Sequence, residues 1–316
     1  MRRFARSCGL AAAAFVVLSR APVALCLANR VFVSARSGND ANACDNINTP
    51  CKTFAGAVLQ LNPGGEAIVL DSGGYGPVTI TQSLTIAAPP GVLAFIHPPA
   101  ADAIRINAPG ATVVLRGLTL NGDDKSYDGI RWEGSSGNLH IERCVIEGFP
   151  RGVSAFTDGA SELFVRDTTV RNSAGDAVIA WAELATLRVS IDHCHIENSQ
   201  NNGIYLVADA AAFVDAAIRD SLLTFNDTGL NVTANQGGVA RALVDRCSVS
   251  GNGDGMEVWN DGSALRVMRS SVTHNGSGFA QGASATLETI GNNMVRGNAT
   301  DEYNDGSASV TVLPGD

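Results

Sequence analysis

The sequence predicts an all-β fold, a right-handed parallel β-helix (solenoid) with a short N-terminal capping helix. Three observations carry this. Apolar residues recur in three columns at intervals of 23 to 27 residues. Each column sits in a short stretch that alternates apolar and polar residues, which is strand periodicity. Runs of Gly, Asn, Asp and Ser separate the stretches, and no long helical pattern intervenes.

The columns emerge from aligning LRGLTLNG, IERCVIEG, VRDTTVRN, IDHCHIEN, IRDSLLTF, VDRCSVSG, VMRSSVTH and IGNNMVRG. The first contains Leu115, Ile141, Val165, Ile191, Ile218, Val244, Val267 and Ile290. Five residues on, the second contains Leu120, Ile146, Val170, Ile196, Leu223, Val249, Val272 and Val295. The third contains Ile130, Val153, Val178, Ile204, Leu230, Met256 and Phe279, mostly with glycine just before it. Three short strands per coil fit a stacked solenoid in which each coil adds one strand to each of three sheets, about 4.8 Å above the last. The LxxLxLxxN spacing of leucine-rich repeats is absent. Less regular coils (IVL 68–70, VTI 78–80, LTI 84–86, AFI 94–96, IRI 104–106) extend the plan towards the N-terminus. Asn226, Asn252, Asn275 and Asn298 recur at one bend, where stacked side chains are expected to bond to the next coil's amide, each contributing about 1 kcal/mol.

An open solenoid end exposes core and unpaired strand edge, so it needs a cap. Phe54, Ala57, Val58 and Leu61 share one helical face, and Thr53 stands where an N-cap belongs. The expected division is an export signal at 1–28, an N-terminal loop and cap at 29–65, and the β-helix at 66–316. The signal rests on Arg2, Arg3 and Arg6 followed by the apolar run from Cys8 to Leu18, too short to span a bilayer. Its removal leaves 18 of 22 basic residues against 31 acidic ones, a net charge of −13. That balance disfavours nucleic acid and anionic membranes as partners, and no later segment is apolar enough for membrane insertion. A secreted or periplasmic location is expected. There, Cys44 and Cys51 are expected to bridge in their Asn- and Asp-rich loop. Cys144, Cys194 and Cys247 fall in one column two coils apart, too far for disulfides, and read as small inward residues beside Thr168 and Ser221.

The segment SGNDANACDNINTPCKTFAGAV and the degenerate coils from about residue 66 to 300 resemble the pectate-lyase-like family of right-handed parallel β-helix repeat proteins. The opening is similar to that of secreted bacterial members. The resemblance implies the fold; for function it implies only a range of lyases, hydrolases, epimerases, tailspikes and adhesins. Of the polygalacturonase-like motifs only Asp123 and Asp124 are present, and the epimerase-like DPHD is missing. No catalytic residue is assigned.

Charged residues follow the first column in two series: Arg116, Glu142, Arg166, Asp192, Arg219, Asp245, and then Arg143, Asp167, His193, Asp220, Arg246, Arg269. Asp167, Asp192 and Asp220 invite a calcium or proton-transfer reading. Alternation of sign down the coils favours a ladder of surface ion pairs instead. His193 and His195 lack a third clustered ligand, so neither metal nor cofactor is expected. Glu147, Arg171, His195 and Glu197 lie at outward positions of three adjacent coils and are the candidate ligand-binding residues. Loops at 180–190, 206–217 and 232–243 are expected to wall a groove beside their sheet. Phe156, Trp181 and Trp259, with Tyr205 nearby, offer rings for stacking on sugar faces. A non-catalytic exported solenoid that binds glycan is the first expectation. A lyase or hydrolase acting on an acidic polysaccharide is the alternative.

Overall fold

A computed structural model describes residues 27–123, 126–134, 136–282, 284–304 and 310–313. Nearly all of the expected signal therefore lies outside the described residues, as does Asp124. Among these residues three parallel sheets wind into one solenoid: sheet A with 12 strands, from Ala28–Val33 to Thr311–Val312, and sheets B and C with 10 each. Sheet B runs from Gly73–Gly74 to Met294–Arg296 and sheet C from Val78–Ile80 to Thr300–Asn304.

The three apolar columns are the three sheets. Leu115, Ile141, Val165, Ile191, Ile218, Val244 and Val267 pair in register on sheet A. Leu120 to Val295 do so on sheet B, and Ile130 to Phe279 on sheet C. Ile141, Ile146, Val153 and their neighbours have no exposure, so each contributes roughly 1.5–3 kcal/mol of burial. The last coil differs by one residue. Thr289, not Ile290, pairs with Val267 and turns inward, leaving Ile290 half-buried. The glycine before the sheet C column is there because coils approach closely: a Cβ on Gly229 would stand 2.5 Å from the carbonyl oxygen of Gly255.

A column of left-handed residues turns the chain. Arg143, Asp167, His193, Asp220, Arg246 and Arg269, at φ of 48° to 53°, form the bend from sheet A to sheet B. The second charged series is thus a bend and not part of a strand. Such φ values cost non-glycine residues about 1–2 kcal/mol each. Bonds beneath the bend offset that cost: the amides of Cys144, Cys194 and Cys247 donate to the hydroxyls of Thr168, Ser221 and Ser270 at 3.1–3.2 Å. The three cysteines are free and buried, which pushes each thiol up to about 11.

At the bend from sheet B to sheet C the asparagines stack as expected, but the bond runs to the preceding coil. The Oδ1 atoms of Asn226, Asn252, Asn275 and Asn298 accept from the amides of Ser199, Asn226, Asn252 and Asn275 at 2.9–3.1 Å. Each Nδ2 donates to a carbonyl of the coil before, as from Asn252 to Leu223 at 3.0 Å.

Helix α1 (Phe54–Val58) caps the N-terminal end, with Thr53 Oγ1 accepting from the Gly56 amide at 3.0 Å. Phe54 stacks on Tyr75 at 4.9 Å. Leu61, expected on the helix, begins the following strand, Leu61–Val69. That strand pairs in parallel with Ala28–Val33, so the solenoid begins well before residue 66. Cys44 and Cys51 are disulfide-bonded, with their Cα atoms 5.1 Å apart.

Candidate functional site

Glu147, Arg171 and Glu197 stand in register on sheet B, with His195 two residues before Glu197. Arg171 donates to Glu147 at 2.7 Å, and Asn121 donates to the other Glu147 oxygen at 2.9 Å. His195 is exposed, and among the described residues neither it nor Glu197 has a side-chain partner. The segments expected as loops are mostly strand: Val178–Ala182 leads to Thr186–Asp192, Asn202–Ala208 to Phe213–Arg219, and Thr228–Ala234 to Val239–Asp245. Only three or four residues join each pair, and they lie between sheets C and A. Alanine-rich stretches such as ADAAAF conceal the strand alternation there.

The charge ladder forms only in part: Arg219, expected between Asp192 and Asp245, makes no ion pair among the described residues. Arg116–Glu142 closes at 2.8 Å, and Arg269–Asp245 at 2.6 Å. Arg246 grips Asp220 through two 2.7 Å bonds, which holds that carboxyl below its ordinary range. Arg166 reaches Asp192 only at 3.7 Å. Asp192, His193 and Asp220 bring ligand-type atoms within 4.8 Å of one another, a grouping that could hold an ion. An ion at that place would have to displace Arg246 from Asp220.

Sheet C carries the more developed chemistry, on two outward rows. Arg105, Arg131, Ser154, Ile179, Tyr205, Asn231 and Glu257 follow one another in register, and beside them run Glu133, Phe156, Trp181, Val207, Thr233 and Trp259. The aromatic alignment expected from the sequence therefore holds. Phe156 and Trp181 lie 5.8 Å apart, and Trp181 donates through Nε1 to Asp209 at 2.8 Å.

Towards the cap, sheet C is a closed ion-pair network. Buried Asp128 accepts from Arg151 at 2.9 Å and from the Ser154 hydroxyl at 2.5 Å. Arg105 and Arg131 each reach Glu133 at 2.5 Å. A depression of about 360 Å³ between Arg131, Glu133, Phe156, Asp158 and Glu183 opens beside this network. A larger hollow of about 600 Å³ lies between helix α1 and the first strands of the sheet.

Further along, Asp176, Asp209 and Glu257 make no ion pair among the described residues, although the charge of Arg151 acts on Asp176. Asp176, only 9% exposed, accepts on Oδ1 from Asn201 and from Asn202 at 2.8–3.2 Å. Burial raises its carboxyl above the usual range. Burial also raises the Tyr205 phenol, with Asp176, Asp209 and Glu257 adding to the shift. Glu257 accepts from Asn231 at 2.9 Å, and burial, aided by Asp254 and Asp227, pushes it up to about 7. A carboxyl titrating there can give or take a proton near neutrality. Sequence reading missed Asp176 and Glu257. The signal was available one residue after the third column, where Tyr205, Asn231 and Glu257 are polar on consecutive coils.

The model of the family described as "Right handed beta helix region" matches residues 102–272 and 181–312. No curated protein matches the sequence. Among solved structures the chain is similar to the pectate lyase Pel9A, at TM-score 0.62 and 16% identity, over 91% of this chain and 78% of that one. It is also similar to a GH136 lacto-N-biosidase from Eubacterium ramulus, at TM-score 0.49 and 11% identity, over 90% and 68% of the two chains. Identities this low show a shared fold alone.

Proposed function

The chain belongs to the right-handed beta helix family, and on that footing we propose that it binds a polysaccharide along the outer face of sheet C. The observation that carries this is the joining of rings and polar side chains in adjoining rows on one face. Phe156 and Trp181 adjoin, Trp259 continues their row, and Tyr205, Asn231 and Glu257 form the row beside it. Half-buried rings supply flat apolar contact for sugar faces. The polar row offers hydrogen-bonding groups about 4.8 Å apart, comparable to the length of one sugar ring. Parallel solenoids present such extended surfaces naturally. That Pel9A is by name a pectate lyase makes a polysaccharide a reasonable ligand class for a chain of this fold.

A second reading, cleavage of the bound glycan, is favoured by Glu257. Its carboxyl keeps a proton near neutrality and so has the property required of a general acid at a glycosidic oxygen. The proposed place of action is outside the cytoplasm, a reading that the Cys44–Cys51 bridge supports.

Calorimetric titration of the protein with neutral, amino and acidic oligosaccharides, together with an assay for new reducing ends, tests both readings. Binding without cleavage supports the first alone. Cleavage that Glu257→Gln abolishes supports the second. Failure to bind any member of the panel refutes both.

A further inference from the structure

We infer that the outer face of sheet A is an interface with a second copy of this chain, the same surface serving in both. Sheet A is the widest of the three sheets. Its strands from Ala111–Arg116 to Ser263–Met268 pair in parallel and present three outward rows. The middle row carries no acid, lysine or arginine from Val114 through His140, Phe164, Ser190 and Ala217 to Leu243, and all of it is half-buried. Charged rows flank it. On one side Glu162, Arg188, Asp215 and Arg241 alternate in sign; on the other Arg166, Asp192 and Arg219 alternate in the opposite phase.

Such a pattern is its own complement. A two-fold axis along the strands, midway between Thr186–Asp192 and Phe213–Arg219, sets two copies face to face. It brings Arg188 opposite the second copy's Asp215, Asp192 opposite its Arg219 and Glu162 opposite its Arg241, each pair occurring twice by symmetry. In the row between, Phe164 meets the second copy's Leu243. A two-fold along the solenoid would instead set Arg241 against Asp245, which is buried and already held by Arg246 and Arg269.

Within one chain these charges are poorly served. Among the described residues Asp215, Arg219 and Arg241 make no ion pair, and Arg241 rests on the Phe213 ring at 5.2 Å. Arg188 has a side chain 67% exposed and reaches Glu162 only at 3.4 Å, while Arg166 and Asp192 stand 3.7 Å apart. A hollow of about 430 Å³ over Ser190 and Ala217, bordered by Arg188, Asp215 and Arg219, gives the second copy's guanidinium groups room to enter. The chain as a whole carries a net charge of −9, which opposes self-association, whereas this face balances its acids with arginines. Seven strands about 4.8 Å apart and about 20 Å long give roughly 650–700 Å² of flat area per copy, close to the ~800 Å² per partner of a standard interface. Sheet C takes no part, so this inference and the glycan reading stand or fall separately.

The test is sedimentation velocity and light scattering of the full chain at about 1 to 100 μM. Twice the monomer mass is expected, with association weakening as salt screens the pairs. Glu162→Arg and Arg241→Glu each set like charges face to face, and each should weaken self-association about tenfold or more. Mixing the two variants should restore it, because each substituted side chain then meets its opposite. In one chain the two positions lie three rungs, about 14 Å, apart, so no contact within a chain accounts for such a rescue. Arg188→Glu and Asp215→Arg form a second pair with the same expected loss and rescue, used if circular dichroism shows that either of the first pair has not folded. A monomer throughout the concentration range, wild-type association by the single variants, or no rescue on mixing overturns the inference.

Discussion

Replacing Asn252 with alanine removes the middle of the asparagine ladder, and its cost follows from four bonds. Asn252 Oδ1 accepts from the Asn226 amide at 2.9 Å and from Asn226 Nδ2 at 3.1 Å. Its own Nδ2 donates to the Leu223 carbonyl at 3.0 Å and to Asn275 Oδ1 at 2.9 Å. The side chain is buried, so water cannot readily take these places. A typical bond contributes about 1 kcal/mol, and an orphaned buried amide costs about 1–3 kcal/mol. Asn252→Ala should therefore destabilise the protein by about 3–4 kcal/mol. Asn298→Ala removes a similar set at a half-exposed position near the C-terminal end of the solenoid. Water can substitute there, and about 1–2 kcal/mol is expected. Urea unfolding followed by far-ultraviolet circular dichroism measures both. A loss below about 1 kcal/mol for Asn252→Ala, or one no larger than for Asn298→Ala, would refute the ladder's structural role.

Three further outcomes are expected. Glu257 has its folded-state pKa raised from 4.5 to about 7, so its stabilising contribution is complete below pH 4.5 and is lost as pH rises towards 7. After discount for solvent screening the loss is about 1–2 kcal/mol, and unfolding midpoints across pH 4 to 8 should show Glu257→Gln free of that part of the slope. Cys51→Ala opens a short loop, and a decrease of about 2–3 kcal/mol is expected, measured as a drop in urea midpoint relative to the oxidised wild type. Asp192→Asn should change stability by less than about 1 kcal/mol, because its partners, Arg166 at 3.7 Å and His193 at 3.1 Å, are both well exposed; a loss of several kcal/mol in the same unfolding assay would contradict the surface-pair account.

The fold was legible because stacking imposes one residue choice per column. Val170, Ile196 and Leu223 must all fill the same interior, and Gly203, Gly229 and Gly255 must all admit the next coil's carbonyl. The misread positions are those where that rule loosens. Thr289 replaces an aliphatic residue in the last coil, where burial is less complete, and the aliphatic pattern points to Ile290 instead. Alanine-rich strands such as Phe213–Arg219 look like loop because small apolar residues sit on both faces. The candidate surface was legible only in its rings. Regular alternation of Glu147 and Arg171 drew the reading to sheet B, although regular pairing is what a satisfied surface looks like. Asp176 and Glu257 break the alternation, and only their burial distinguishes them from other surface acids.

Comparing two variants places the binding surface most directly. With whichever oligosaccharide binds wild type, dissociation constants are measured for Trp181→Ala and for the double variant Arg171→Ala/His195→Ala, each confirmed folded by circular dichroism. Loss of a stacked ring worth about 1.4 kcal/mol weakens binding about tenfold. The sheet C account predicts that loss for Trp181→Ala and an unchanged constant for the sheet B double variant. Unchanged binding by Trp181→Ala, with the loss falling on the double variant, would contradict it.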